Sequence, residues 1–156
     1  MLDFVQFVKR ANSGLNKTFF KIFLSGIVLS AVVLIDQFLK YKIRSSSGFF
    51  VCNMGISFGF EIKNILFLLI LSLFFILICY FMAIKKNNLL FLCGMTFLLG
   101  GAFSNIVDRV RLGCVIDYIG PLFGFFPIFN LADIAIFLGV LIISLHLAAP
   151  RLYNSE

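Results

Sequence analysis

Asp117 and Asp133 are two carboxylates set among apolar neighbours, preceded by Val115-Ile116 and Leu131-Ala132. Gly120, Pro121, Gly124 and Pro127 lie between them and let the chain turn back, so the two side chains can meet. Two carboxylates in a partly dry site do not both ionise readily and tend to share one proton. The charged member can then draw a proton from water while the protonated member polarises a carbonyl. That is aspartic-protease chemistry. A second reading stays open, because Asp133 begins an apolar run and an aspartate there also serves as a helix cap.

Other polar groups cluster around this pair in the sequence. The stretch from Gly100 to Asp133 holds Asp108, Asp117 and Asp133, out of seven acidic residues in the whole chain. Carboxylates beside or within membrane-spanning segments are costly and by default mark a functional site. Asn105 and Asn130 each offer two donors and an acceptor, suited to holding a peptide backbone or to bonding between helices. Asp108-Arg109 reads as an ion pair at a membrane edge or as a substrate contact. Asp36 and Lys40 are four residues apart, meet on one helix face and read as an ion pair supporting a bundle. His146, the one histidine, falls at the far end of the last apolar run and is assigned no role. The four cysteines form no CxxC pair or Cys/His cluster, so no metal is expected. Cys79 and Cys93 sit in apolar runs as small hydrophobes. Cys52 and Cys114 can pair if they face an oxidising compartment, and their spacing neither supports nor excludes it.

The elements that must position these residues are membrane helices. The chain has 156 residues, 62% of them hydrophobic and 13% charged, about half the charge of a soluble domain. Its net charge of +6 does not point to nucleic acid, since the basic residues are spread along the chain and flank apolar runs. Juxtamembrane contact with anionic lipid explains them better. Four apolar stretches, at about 22–40, 65–84, 89–107 and 131–149, each have roughly the 20 residues that cross a bilayer. The first is too long for a signal-peptide core and lacks a small-residue cleavage site, so it is expected to be retained. The expected fold is an all-α membrane protein, one domain over 1–156, with outer connections at 41–64 and 108–130. Lys9, Arg10, Lys17, Lys21 and Lys85-Lys86 put both termini in the cytoplasm. Alternating helices then carry Asp36, Asp108, Asp117 and Asp133 to the extracytoplasmic face. Within 41–64, the segment from Phe49 to Ile62 suits short strands, broken by Gly55 and Gly59. Phe123, Phe125 and Phe126 suit the lipid–water interface.

Taken in order, the motifs resemble those of lipoprotein signal peptidase, or signal peptidase II. They are Asp36-Gln37-x-x-Lys40, Asn53-x-Gly55-x-x-Phe58, Gly100-Gly101-x-x-x-Asn105-x-x-Asp108-Arg109-x-x-x-Gly113-x-Val115-x-Asp117 and Phe129-Asn130-x-Ala132-Asp133. The resemblance implies a bacterial inner-membrane aspartic endopeptidase that cuts a prolipoprotein just before its diacylglyceryl-modified cysteine. It implies Asp117 and Asp133 as the catalytic dyad. It also implies Asn53, Gly55, Asn105, Arg109 and Asn130 in substrate binding or support, with Asp36, Lys40 and Asp108 supporting. A small extracytoplasmic β-cradle between helices one and two, membrane lipid as surroundings, inhibition by globomycin, no cofactor and a monomeric state follow from the same resemblance. Ser104 stands where the family usually has Gly, and Tyr118 where Phe is commoner. Ser104 is expected to loosen a helix contact slightly.

Two further readings belong to other classes. A small four-helix proton-coupled transporter would also use membrane carboxylates, but would need one near the midplane. A non-catalytic lipid-binding subunit would bind lipidated peptide without turnover.

Overall fold

The structure, a computed structural model, describes residues 2–54, 65–85, 88–120 and 127–153. Its elements are α1 (Leu2–Ser45), β1 (Val51–Asn53), α2 (Ile65–Lys85), α3 (Leu89–Leu112), β2 (Val115–Asp117) and α4 (Leu131–Tyr153). Among the described residues, three helices are long and apolar enough to cross a membrane: Thr18–Ser45, Leu89–Leu112 and Leu131–Ala148, with mean hydropathies of 2.3, 1.8 and 2.3. The 21-residue α2 carries a shorter apolar stretch, Ser72–Met82.

The helices overrun the apolar stretches that announce them. The first was expected at about 22–40, yet α1 is 44 residues long and runs from Leu2 to Ser45. No proline interrupts residues 2–21. At the other end, Lys40 is neutralised inside the bundle, and Lys42 and Arg44 occupy the last turn, where cations favour the helix dipole. Ser47 closes α1 at φ 56, and Gly48 N–H returns to the Ile43 carbonyl at 3.0 Å, a Schellman closure. Likewise α3 continues to Leu112 rather than 107. It opens on Asn88, whose side-chain oxygen accepts from Phe91 N–H at 3.0 Å, and closes on Gly113 at φ 77.

The central helix is α3, packed against α1, α2 and α4. Small residues set its approach to α4. A Cβ on Gly101 would overlap the Ala132 carbonyl oxygen, and one on Gly139 would lie 2.7 Å from the Gly94 carbonyl oxygen. These contacts run in opposite sequence order, so α3 and α4 are antiparallel. Gly100 faces Leu29 and Val32 while Gln37 faces Ser104 and Asp108, so α1 and α3 run the same way. Leu92, Met95, Leu99, Ile106 and Ala135 fill the interior. Phe38, Phe74, Phe75, Phe81, Phe137 and Leu145 are exposed, an apolar outside of the kind lipid covers.

A small sheet is present. Among the described residues it has two strands, and β1 pairs with β2 of the second connection. The pairing is antiparallel, with Val51 opposite Asp117, Cys52 opposite Ile116 and Asn53 opposite Val115. Cys52 and Cys114 form a disulfide beside it. Gly55, Phe58, Gly59, Lys63, Lys86, Phe123, Phe125 and Phe126 lie outside the described residues.

Candidate active site

Asn130, the residue before α4, joins the two aspartates. Its side-chain oxygen accepts from Asp133 N–H at 3.0 Å, and Asp133 Oδ2 accepts from Asn130 N–H at 3.1 Å, a reciprocal capping box. Asp133 therefore does cap α4, as one reading of the sequence held. The remaining free N–H groups of the first turn are met from elsewhere in the fold. Tyr118 Oη accepts from Leu131 N–H at 3.3 Å, and Asp36 Oδ1 on α1 accepts from Ala132 N–H at 3.0 Å. The start of α4 is thus held by α1, by the connection and by its own cap.

Asp117 ends β2. Tyr118 and Ile119 N–H both reach the Phe129 carbonyl, at 3.0 and 2.8 Å, which folds the connection closed. That closure brings Asp117 to Asn130, whose amide donates to Asp117 Oδ1 at 2.6 Å and to Asn105 Oδ1 at 3.2 Å. Asn53 on β1 donates to Asp117 Oδ2 at 3.0 Å. On the other carboxylate, Asn105 Nδ2 donates to Asp133 Oδ1 at 2.8 Å. Each aspartate thus receives two N–H donors, and Asn130 serves both.

Burial pushes the Asp117 carboxyl above the usual carboxylate range, and the Asp133 charge adds to this. The Asn53 and Asn130 amides and Lys40 pull the other way without reversing it. The Tyr118 hydroxyl is pushed up to about 12, chiefly by burial. The positive end of the α4 dipole lies at Asp133.

Beneath the pair lies a buried charge cluster. Lys40 Nζ reaches Asp36 Oδ2 at 2.7 Å, Asp108 Oδ2 at 2.8 Å and Asn105 Oδ1 at 2.9 Å, using all three of its protons. The Asp36–Lys40 pair expected from spacing is present, but the partner of Asp108 here is Lys40. Gln37 Nε2 donates to Asp108 Oδ1 at 2.8 Å, and Ile116 N–H to Asp108 Oδ2 at 3.3 Å. Ser104 Oγ donates to Asp36 Oδ2 at 2.6 Å and accepts from Gln37 Nε2 at 3.0 Å. Burying such charges costs several kcal/mol per ion, offset here by near-complete pairing. Arg109 Nη1 donates to the Asn105 carbonyl at 3.3 Å.

Asn53, Asn105, Arg109, Asp117 and Asp133 line one cavity of about 630 Å³. Ile136, Phe137 and Val140 continue its wall along α4, at the i+3, i+4 and i+7 positions from Asp133. The cavity is polar at one end and hydrocarbon down one helix face. Its carboxyl pair can hold one proton and face an amide carbonyl and a water together.

The sequence reading passed over two groups. Ser104 was expected to loosen a contact and instead anchors Asp36, while Tyr118, noted only as standing where Phe is commoner, satisfies the first N–H of α4. Only a hydroxyl where the family has none marked either one. His146, given no role, lies with Nε2 3.0 Å from the Asn88 amide nitrogen at the opposite end of the bundle.

The family model described as Signal peptidase (SPase) II matches residues 27–149. The lipoprotein signal peptidase of Wigglesworthia glossinidia brevipalpis is 35% identical over 138 residues, covering 76% of this chain and 90% of that protein. Its counterpart from Caldanaerobacter subterraneus subsp. tengcongensis is 37% identical over 133 residues, covering 75% and 90%. A solved bacterial membrane enzyme superposes with a TM-score of 0.72 at 26% identity, covering 86% of this chain and 93% of that one.

Proposed function

This chain belongs to the signal peptidase II family, peptidases that remove signal peptides from prolipoproteins, and we propose that it cuts with Asp117 and Asp133. The observation that carries this is the shared cavity: both carboxyls line it, each fixed by two N–H donors and linked through Asn130. Asp117, whose carboxyl is pushed above the usual carboxylate range by burial, holds the shared proton, and Asp133 at the helix N-terminus is the base. Asp133 takes a proton from water, whose oxygen attacks the scissile carbonyl carbon. Asp117 passes its proton to the carbonyl oxygen. Collapse of the tetrahedral intermediate breaks the C–N bond, with the proton on Asp133 going to the leaving amine and a hydroxyl proton of the intermediate returning to Asp117.

Asn53, Asn105 and Asn130 orient the pair, and Arg109 stands beside it for the substrate backbone. Asp36, Lys40 and Asp108 hold the helices that carry it. Gly55 belongs to the same proposed set through its motif. The substrate is a prolipoprotein with a diacylglyceryl cysteine, cut just before that residue. The apolar wall of Ile136, Phe137 and Val140 supports this, since it offers acyl chains a path beside the carboxylates.

The proposed topology is a single domain over 1–156 with four spans, α2 being the fourth, and both termini cytoplasmic. The disulfide supports an extracytoplasmic site, because such bonds persist in oxidising compartments. A bacterial inner membrane, a monomer and binding of globomycin in the same cavity complete the reading. The test is cleavage of a diacylglyceryl-modified prolipoprotein by the purified protein in detergent. Asp117→Asn and Asp133→Asn should each lose at least about 10²-fold in rate while remaining folded. Full activity in either variant overturns the assignment.

A further inference from the structure

Asn53 is delivered by a strand of three residues. Among the described residues, β1 pairs with the three residues of β2. Val51 and Cys52 are exposed, whereas Val115, Ile116 and Asp117 are all buried. Strand β2 is thus set into the bundle, and β1 lies on its outside.

Side chains alternate across a strand, which sorts these residues into two faces. Val51 and Asn53 share a face with Val115 and Asp117, given the register of the pair. Asn53 reaches Asp117 diagonally on that face, at 3.0 Å. Cys52 and Ile116 point to the other face, and the disulfide from Cys52 runs to Cys114 there. A slip of one residue would turn Asn53 away from the carboxylates. It would also turn Cys52 away from Cys114, which the covalent bond forbids.

We infer that the Cys52–Cys114 disulfide is a register lock that keeps the Asn53 amide on Asp117, so that the oxidised chain cleaves faster than the reduced one. This rests on Asp117 being one of the two acting carboxylates. Cys52 and Cys114 are positioning residues and act through Asn53. Among the described residues, the charged groups facing Asp117 are Asp133 on α4, Lys40 on α1 and Arg109 on α3, and none is on β1. Reduction therefore leaves those charges in place and loosens one donor. Asn53 favours the ionised form of Asp117. Without it Asp117 keeps its proton to higher pH, and the limb of the pH–rate profile set by Asp117 moves up.

The test uses the full chain in detergent and a diacylglyceryl-modified prolipoprotein. Rates are compared for oxidised enzyme, enzyme reduced with dithiothreitol, and Cys52→Ala/Cys114→Ala, each with and without Asn53→Ala. Reduction passes two electrons and two protons from the dithiol to the S–S bond, giving two protein thiols and the cyclic disulfide of the reagent. Thiol titration should rise from the two of Cys79 and Cys93 to all four cysteines. Reduction or the double alanine variant should lower kcat by about tenfold, with KM within about twofold, and should shift that limb upward. In the Asn53→Ala background neither should lower kcat further. An unchanged kcat and pH profile with four titrated thiols overturns the lock. So does an equal loss in the Asn53→Ala background, which would mark the bond as general support only. If oxidised wild type cleaves and Asp117→Asn does not, those results bear on the lock alone. If oxidised wild type fails to cleave, the peptidase reading falls and the lock with it.

Discussion

Asp36 accepts a hydrogen bond from the backbone N–H of Ala132 at 3.0 Å, across 96 positions of sequence. The contact ties α1 to the first turn of α4, one residue from Asp133. Asp36 also pairs with Lys40, and its relative exposure is 0%. Asp36→Ala removes the α4 contact and leaves Lys40 with one carboxylate instead of two. Removing one partner of a buried pair typically costs about 3–5 kcal/mol. Thermal unfolding in detergent should show a large drop in Tm, and residual folded protein should cleave slowly because the start of α4 has lost a support. A Tm equal to wild type would remove Asp36 from the positioning role.

Ser104 supplies a second, finer prediction. Its hydroxyl donates to Asp36 at 2.6 Å and accepts from Gln37 at 3.0 Å with no exposure to solvent. Hydrogen bonds to charged groups are worth roughly 1.5–3 kcal/mol. Ser104→Gly, though it restores the commoner residue of the family, should therefore destabilise this chain by about that amount, and Ser104→Ala by a similar amount. Equal or higher Tm in both variants would show that Asp36 finds a replacement donor.

These hydroxyls explain where the sequence was readable and where it was not. Helix starts at Ile65 and Leu89 follow from charge-free runs, and that at Leu131 from an apolar run whose one charge is Asp133, so all three can be read by eye. The ends of α1 and α3 cannot, because Lys40 and Asp108 look like exits from the membrane while pairing with each other keeps them inside. The pair four residues apart was visible, since one helix face brings Asp36 to Lys40. The third member arrives from another helix, which no local pattern records. The pairing of β1 with β2 was hidden for the same reason: the strand propensity near Phe49 was readable, its partner across two helices was not. The aspartates stood out because carboxylates are rare in this composition, while Asn130 as the link between them required the fold.

Gly101 should be intolerant of any side chain. A Cβ there would overlap the Ala132 carbonyl oxygen and sit 2.8 Å from Ile136 Cγ1. Since neither a helix carbonyl nor a half-buried branched side chain yields cheaply, Gly101→Ala should push α4 away from α3. Overpacking of this kind costs about 1–3 kcal/mol. The displaced helix also carries Asp133, so the variant should lose kcat by more than its stability loss explains. Gly113→Ala is the control, with open space around the added Cβ and only the strain of φ 77. It should lower Tm by a comparable or smaller amount and leave kcat close to wild type. A kcat loss shared by both would indicate a general softening instead of a shifted α4.

Asp117 carries a signed pH prediction. Its folded carboxyl titrates above the unfolded value of 3.8, mainly through burial. A group with a raised pKa contributes stability below its unfolded pKa and loses it as pH rises through the folded one. Asp117→Asn cannot ionise and escapes this loss. The Tm difference between variant and wild type should therefore move in the variant's favour as pH rises from the acid side toward neutrality. Over the same range wild type cleaves and the variant does not, so stability and activity part company at one residue. Tm and cleavage measured on both proteins across that pH range decide it. A Tm difference that is flat, or that moves toward wild type with rising pH, would mean that Asp117 is not held protonated by its site, and the proton would have to be assigned to Asp133.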